Sequence, residues 1–107
     1  MAAGDVTIKG HSGRAMRGKK IVWGTVQLDG SNPTPIALAA YLTSIDSFAW
    51  SHVTSSAPGD DPTYFTHAIS TTTVNLYAWK NTGGTDPTLV ASTDNAAVIS
   101  FIAIGTP

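Results

Sequence analysis

The sequence contains no cysteine and no glutamate, and charged residues make up only 12% of its 107 positions. Without cysteine the chain cannot form a disulfide framework or a thiolate metal site, so packing or association must stabilise it. No apolar run approaches the ~18 residues that a membrane-spanning helix needs, and the first residues lack the apolar segment of a signal peptide. We therefore expect a protein that is made in the cytoplasm and has no membrane partner.

The residues that are present favour strands over helices. Hydrophobic side chains make up 42% of the chain, and Ser, Thr, Val, Ile and aromatic residues replace the Glu, Lys and Leu that usually fill helix surfaces. Alternating segments such as 21–28 and 47–53 recur between turn sequences. The pattern predicts an all-β fold of six to eight strands: one small antiparallel β-sandwich or barrel over residues 21–107.

Two finer expectations concern strand pairing. Residues 45–55 and 63–71 are expected to form a hairpin, which would place His52 opposite His67, and residues 63–80 a second hairpin. The apolar run 96–105 suits a central strand that is buried on both faces.

Charge is divided unevenly along the chain. Residues 1–20 hold five basic groups against Asp5, a net charge of +4, whereas residues 21–107 hold Lys80 against six aspartates, a net charge of −5. Residues 1–20 also contain four glycines and few apolar side chains, so on their own they cannot bury enough surface to become ordered. We predict an extended, flexible and basic N-terminal arm over residues 1–20, with a solvated leader that binds nothing as the alternative. Its candidate partner-binding residues are Lys9, Arg14, Arg17, Lys19 and Lys20.

No catalytic or metal-binding pattern stands out. His52 and His67 could hold a metal ion only with a third ligand, which the sequence does not supply, so a structural pair is favoured. Ser and Thr are abundant, but no G-x-S-x-G motif and no acidic dyad singles one out as a nucleophile. We expect no enzymatic activity, no metal and no cofactor.

Aromatic residues offer a second kind of site. Trp23, Trp50, Tyr77 and Trp79 are candidates for a face on which sugar rings stack, against the commoner roles of aromatic residues in a core or an oligomer contact. Direct binding of nucleic acid is not expected, because residues 21–107 are acidic and contain a single lysine.

Three segments, GTVQLDGSNPTPIAL, SSAPGDDPTYFTHAISTTTVNLYAWK and DPTLVASTDNAAVISFIAIGTP, resemble the small β-sandwich accessory proteins encoded among the virion-assembly genes of tailed bacteriophages. The resemblance covers residues 20–107 and includes no catalytic motif. It implies a structural protein of the virion, and the small, abundant ones are often decoration or cement proteins that sit as trimers on the assembled capsid. The alternative within the same setting is a tail, head-fibre or receptor-binding module with an aromatic carbohydrate-binding face.

The resemblance implies the major capsid protein as the partner, other copies of the chain in a homotrimer, and a location on the capsid surface of the virion. The basic arm would then act as an anchor on an acidic groove of the capsid protein or on the acidic body of an adjacent copy. Arg14 and Arg17 can make paired hydrogen bonds to carboxylates, whereas the three lysines act as point charges.

Overall fold

The structure is a computed structural model that describes residues 2–12, 18–55, 64–83 and 86–107. Eight strands and no helix lie among these residues, so the all-β prediction is confirmed. The strands are β1 (Val6–His11), β2 (Lys20–Gln27), β3 (Thr34–Ala37), β4 (Ser44–His52), β5 (Tyr64–Ser70), β6 (Thr73–Gly83), β7 (Asp86–Ala91) and β8 (Val98–Thr106).

The strands form two antiparallel sheets that pack face to face. Sheet 1 has the order β1-β2-β8-β4, and sheet 2 has the order β3-β6-β5, with β7 also paired to β6. In sheet 2, β5 covers one side of β6, while β3 and β7 pair with the other side, opposite Thr73–Leu76 and Trp79–Gly83 respectively. The central strands are therefore β2 and β8 in sheet 1 and β6 in sheet 2.

The core lies between the sheets because alternate residues of each strand point inward. Burying one Val, Leu, Ile or Phe side chain contributes roughly 1.5–3 kcal/mol relative to leaving it exposed, so these residues supply most of the driving force for folding. The buried hydrophobic residues are Val22, Val26, Leu28, Ile36, Leu38, Leu42, Ile45, Phe48, Val74, Leu76, Ala78, Ile99, Phe101 and Ala103.

Strands β4 and β5 do not pair with each other, so the predicted hairpin is wrong. His52 lies opposite Ile99 of β8, whereas His67 lies opposite Leu76 of β6, in the other sheet. The predicted His52–His67 cross-strand pair therefore does not form. The chain crosses from one sheet to the other through a connection whose residues 56–63 lie outside the described residues.

The inward faces of β4 and β5 meet across the gap between the sheets. The His67 ring lies with its centroid 4.9 Å from that of Trp50 and 5.4 Å from that of Phe48, and the rings of His52 and Phe65 are 5.8 Å apart. Placing the two strands in opposite sheets brings the inward rings of β4 against Phe65 and His67 of β5, which become half-buried, and this contact is the physical reason that the crossover replaces the hairpin.

The second predicted hairpin is confirmed. β5 and β6 pair from Tyr64–Trp79 to Ser70–Thr73. The turn between them consists of Thr71 and Thr72, and Thr71 has a φ of 51°, the left-handed conformation that tight hairpin turns require.

The N-terminal region differs from the predicted flexible arm. Residues 6–11 form β1, an edge strand that pairs with β2 and has a bulge between Ile8 and Gly10. Val6 and Ile8 are half-buried against the core. Their alternation with polar residues gives this short segment the apolar contacts that residues 1–20 lack as a whole. Residues 13–17 lie outside the described residues.

Strand β8 is central, as predicted, but only one of its faces is buried in the chain. Ile99, Phe101 and Ala103 point into the core, whereas Ile102 points outward and is 41% exposed. The prediction that both faces are buried is therefore wrong for a single copy of the protein.

Candidate functional site

Apolar side chains cross the outer face of sheet 1. Trp23 of β2 pairs with Ile102 of β8, which also pairs with Ala49 of β4, and the neighbouring row places Ile21 opposite Ile104. Trp23 is 42% exposed, similar to Ile102. We call these five residues the Trp23 face. A contiguous apolar surface of this kind marks a contact site more often than isolated exposed side chains do.

The edge strand β1 is shaped to hold the Trp23 ring. Gly10 pairs with Trp23 across the β1–β2 ladder, and a Cβ atom at Gly10 would overlap the indole ring. The ring therefore lies over the glycine instead of standing away from the sheet, as aromatic residues do when they cover a glycine on a neighbouring strand. As a result the apolar surface extends over all four strands of sheet 1.

Polar groups border the Trp23 face at both ends. Thr25, Ser100 and Ser51 form the next row across the sheet on one side. At the opposite end, Lys19 forms an ion pair with Asp46, with Nζ 2.7 Å from Oδ2. An apolar centre with a polar rim is the arrangement found in protein–protein interfaces.

A shallow groove runs beside the Trp23 ring. It has a volume of about 450 Å³, and Trp23, Ala49, Ser51, Ser100 and Ile102 contribute to its walls. The Trp23 ring forms one wall of this groove, so a partner could place a side chain in the groove beside the ring.

Sheet 2 carries a separate aromatic surface on its outer face. Tyr64 of β5 lies opposite Trp79 of β6, and Thr66 lies opposite Tyr77. The Tyr77 and Trp79 rings are within 12° of parallel, with centroids 6.2 Å apart. Tyr64 is 59% exposed. Together with Leu89 of β7, which borders a groove of about 470 Å³ shared with Tyr64, Thr66 and Trp79, we call these residues the Trp79 row.

A hydrogen bond fixes the orientation of the Trp79 indole. Its Nε1 donates to the hydroxyl of Thr66 over 2.9 Å. Because the ring is held by this bond, a flat ligand would meet an aromatic surface that has already lost most of its side-chain freedom.

The four aromatic residues that the sequence suggested for one sugar-binding face do not share a face. Trp23 lies on sheet 1, Tyr77 and Trp79 lie on sheet 2, and Trp50 points inward and packs against the core. Trp50 has the commoner role of an aromatic residue at the core, because it shares the inward side of β4 with Phe48.

The described lysines of the predicted anchor are placed differently from one another. Lys19 is paired with Asp46, and the Lys20 Nζ lies 5.6 Å from the centroid of the Tyr41 ring, a distance typical of a cation–π contact. Lys9 is exposed on β1. Two of the three lysines therefore already have partners within the chain.

Arg14 and Arg17 belong to the connection between β1 and β2 and lie outside the described residues. The connection begins where the Ser12 N–H donates to the Ile21 carbonyl over 2.8 Å, and the Ile21 N–H donates back to the Ser12 hydroxyl over 3.0 Å. The basic residues thus follow an edge strand, and the predicted anchor remains a prediction.

The only carboxylate with a clearly displaced pKa among the described groups serves a turn. Burial would raise the pKa of Asp29, but hydrogen bonds from the Ser31 hydroxyl, the Ser31 N–H and the Thr34 hydroxyl together hold it below its ordinary value. Thr34 is buried. Since Asp29 stabilises the loop between β2 and β3, its shifted pKa indicates a structural role.

No group of three or more possible metal ligands occurs among the residues that the structure describes, and none of those residues belongs to a helix long and apolar enough to cross a membrane. The sequence did contain a signal for the Trp23 face. A strand with one solvated face should be polar at every second residue, and residues 99–104 are apolar at all positions except Ser100.

Comparison with protein-family models, with curated proteins and with solved structures finds no match to this chain.

Proposed function

We propose that this chain is a non-enzymatic structural protein of a bacteriophage virion, most directly a capsid decoration (cement) protein that binds the assembled lattice and stabilises it. The observation that supports the proposal is the presence of two exposed surfaces rich in apolar and aromatic side chains, the Trp23 face and the Trp79 row, on opposite sides of one small sandwich. A protein that reinforces a lattice has to contact more than one neighbour.

The shape and surface chemistry support a role in assembly. The molecule measures 48 × 23 × 20 Å, so the two surfaces are separated by the thickness of only two packed sheets. An enzyme of this size would need a concave pocket in which polar and titratable groups converge. The grooves on both sheets are shallow and mainly apolar, which suits contact with another protein.

The partner in this proposal is the major capsid protein, and self-association as a homotrimer on the capsid surface follows from the resemblance of residues 20–107. Residues Lys9, Arg14 and Arg17 supply the electrostatic part of the attachment, because Lys19 and Lys20 have partners within the chain. Such contacts guide association and orientation more than they increase affinity.

Binding to purified capsids tests the proposal. The protein is added to expanded capsids that lack it, and the bound amount is measured after sedimentation. We expect saturable binding with a fixed number of copies per capsid and an increased resistance of the capsids to heat. Absence of binding at protein concentrations well above those of the capsid sites would contradict it.

A second candidate function, a receptor-binding module of the tail or head fibre, is favoured by the Trp79 row. The parallel Tyr77 and Trp79 rings and the exposed Tyr64 ring provide aromatic surfaces, and hydroxyl groups of Tyr64 and Thr66 lie among them. Sugar rings bind to proteins by stacking on such surfaces while nearby polar groups orient them.

Glycan binding by the purified protein separates the two functions. If the protein is a receptor-binding module, Tyr64→Ala and Trp79→Ala should each abolish its binding to a glycan array or to host cells. Val53→Ala, at an exposed residue away from the row, is the control and should leave that binding unchanged. The decoration proposal predicts that none of the three proteins binds glycans.

A further inference from the structure

We propose that the Trp23 face is a contact between copies of this chain. The inference goes beyond the proposed attachment and homotrimer, because identical faces that stack on each other form a twofold pair of copies, and such a pair can form in solution, whatever else the protein binds. Its starting point is Ile102, which lies at the centre of an exposed apolar row in the middle of sheet 1.

The composition of β8 indicates that its outer face is covered in the assembled protein. An antiparallel strand with one solvated face normally alternates apolar and polar residues. The inward residues of β8 include Ile99, Phe101 and Ala103, yet three of its five outward positions are apolar as well: Val98, Ile102 and Ile104, against Ser100 and Thr106. Aliphatic side chains at both sets of positions are typical of strands that are buried on both sides.

The form of the face fits another sheet better than it fits other partners. Because the Trp23 ring lies over Gly10, the surface is broad and shallow, whereas a small molecule would need a deeper cavity. Nucleic acid would need basic side chains, and the residues that compose the face are uncharged. Two such sheet faces can stack about 10 Å apart with their side chains interleaved.

The whole outer face of sheet 1, which consists of the Trp23 face and its polar border, has an area sufficient for a specific contact. Four strands spaced ~4.8 Å apart span about 19 Å, and at ~3.3 Å per residue the eight residues of β2 and nine of β8 span roughly 28 Å. The product is a footprint of about 500 Å² per copy, or ~1,000 Å² for two copies, which is the area that separates specific interfaces from incidental contacts.

The charges at the border of the face do not oppose self-contact. Lys19 and Asp46 neutralise each other within one copy, and the whole chain has a formal net charge of only −1. A second copy therefore brings no concentration of like charge to the centre of the contact, while the groove beside Trp23 offers a hollow for a side chain of the other copy.

Two matched variants test the inference. Ala49→Lys places a charge within the Trp23 face, beside the central Ile102, and Ala68→Lys makes the same change at an exposed alanine on the outer face of sheet 2. Sedimentation velocity is measured for the wild-type chain and both variants over a concentration series up to about 100 μM. We expect the wild-type chain and Ala68→Lys to have a mass above the 11.1 kDa of one copy. Ala49→Lys should raise the dissociation constant by at least ~30-fold, because it would bury an unpaired charge in an apolar contact.

A second variant and a folding control keep the result interpretable. Ile102→Thr retains a β-branched residue in the strand and should also weaken association, while circular dichroism and thermal unfolding confirm that each variant is folded. A wild-type chain that is monomeric throughout, or equal weakening by Ala49→Lys and Ala68→Lys, would overturn the proposed interface. Both measurements are made without capsids, so they can fail while the proposed attachment to capsids holds, and the reverse.

Discussion

Asp29 illustrates how one side chain organises a loop of this protein. Its Oδ1 accepts hydrogen bonds from the Ser31 N–H at 2.8 Å and from the Thr34 hydroxyl at 3.0 Å. Because Thr34 is almost fully buried, loss of the carboxylate would leave a buried hydroxyl without this acceptor. Short Asx-type turns of this kind depend on a side-chain oxygen two or more residues before the bonded groups.

Replacement of Asp29 by alanine should lower the free energy of unfolding by about 1–2 kcal/mol at neutral pH, the usual cost of removing a partner from a buried hydrogen bond. Denaturant unfolding of the two proteins measures the difference. Asp46→Ala, which removes an exposed ion pair, is the control and should cost less than about 1 kcal/mol.

The effect of Asp29→Ala on the free energy of unfolding should depend on pH. Because the pKa of Asp29 is lower in the folded chain, its carboxylate stabilises the fold above the unfolded-state pKa, and this contribution is lost as the pH falls through the folded-state pKa. The difference between wild type and Asp29→Ala should therefore shrink between about pH 5 and about pH 2. A difference that stays constant over this range would show that the carboxylate charge is not responsible.

Gly10 and Trp23 should be energetically coupled. Gly10→Ala introduces a Cβ that overlaps the indole, so it should destabilise the chain by about 1–3 kcal/mol, as other overpacking changes do. In a Trp23→Ala background the same change should be neutral or slightly stabilising, since alanine restricts the unfolded backbone more than glycine does. A double-mutant cycle measures this coupling, and additive effects of the two substitutions would contradict the position of the ring over Gly10.

At the scale of strands, regular alternation was the signal that predicted structure well. Val22 and Val26 in β2, and Val74 and Leu76 in β6, are buried as their spacing required. Local spacing determines which side of a strand is apolar, and it is independent of where the strand sits in the fold. The strand content and the β5–β6 hairpin were therefore accessible from the sequence.

The pairing of strands that are joined by a long connection could not be predicted from the sequence in the same way. The patterns around His52 and His67 fit a hairpin as well as they fit two strands in opposite sheets, because both arrangements need one apolar face on each strand. Only the packing of the Trp50 and Phe48 rings against His67 separates these alternatives, and that packing depends on tertiary structure.

Strand β1 was missed because its signal is short. Val6 and Ile8 are its two partly buried apolar residues, and the glycines and basic residues that follow dominate the composition of the first twenty positions. An edge strand such as β1 pairs about half of its backbone N–H and C=O groups, all of them with its single neighbour. Because these hydrogen bonds also hold the strand in place, few apolar contacts are enough to add it to an existing sheet.

The contribution of β1 can be measured with a matched pair of substitutions. Ile8→Ala should lower the free energy of unfolding by roughly 1–2 kcal/mol, below the range for fully buried isoleucine because Ile8 is only half-buried. Thr7→Ala, at the exposed neighbouring position, should change stability by less than about 0.5 kcal/mol. Equal and negligible effects would mean that the N-terminal region behaves as the flexible arm that composition alone suggests.

For the whole molecule, the sequence predicted the presence of exposed aromatic residues but not how they are shared between surfaces. Trp23 and Trp79 lie on opposite sheets. The register of the strands places Ile102 beside Trp23 and Tyr64 beside Trp79. Register between distant strands is set by the complete set of core contacts, which explains why the two surfaces could not be assembled from local pattern.

The two arginines of the predicted anchor provide a prediction about attachment. Arg14→Glu and Arg17→Glu should each weaken binding to capsids by roughly 3–10-fold, since each reverses a charge expected to face an acidic surface. Lys80→Glu makes the same change in charge at the only basic residue beyond position 20 and should leave binding unchanged. Truncation of residues 1–20 is a poorer test, because it would also remove β1 from sheet 1. If all three charge reversals weakened binding equally, the net charge of the chain, and not the position of the arginines, would explain the effect.

If this chain is a structural component of an assembled virion, its copies can be counted in purified particles. If a phage genome carries this reading frame, quantitative mass spectrometry of its purified virions gives the number of copies relative to the major capsid protein. We expect many copies of the chain in a constant ratio to the capsid protein, and none in particles made after the reading frame is deleted. Absence of the chain from purified virions would rule out a structural role in the virion, and a few copies confined to the tail would favour the receptor-binding alternative.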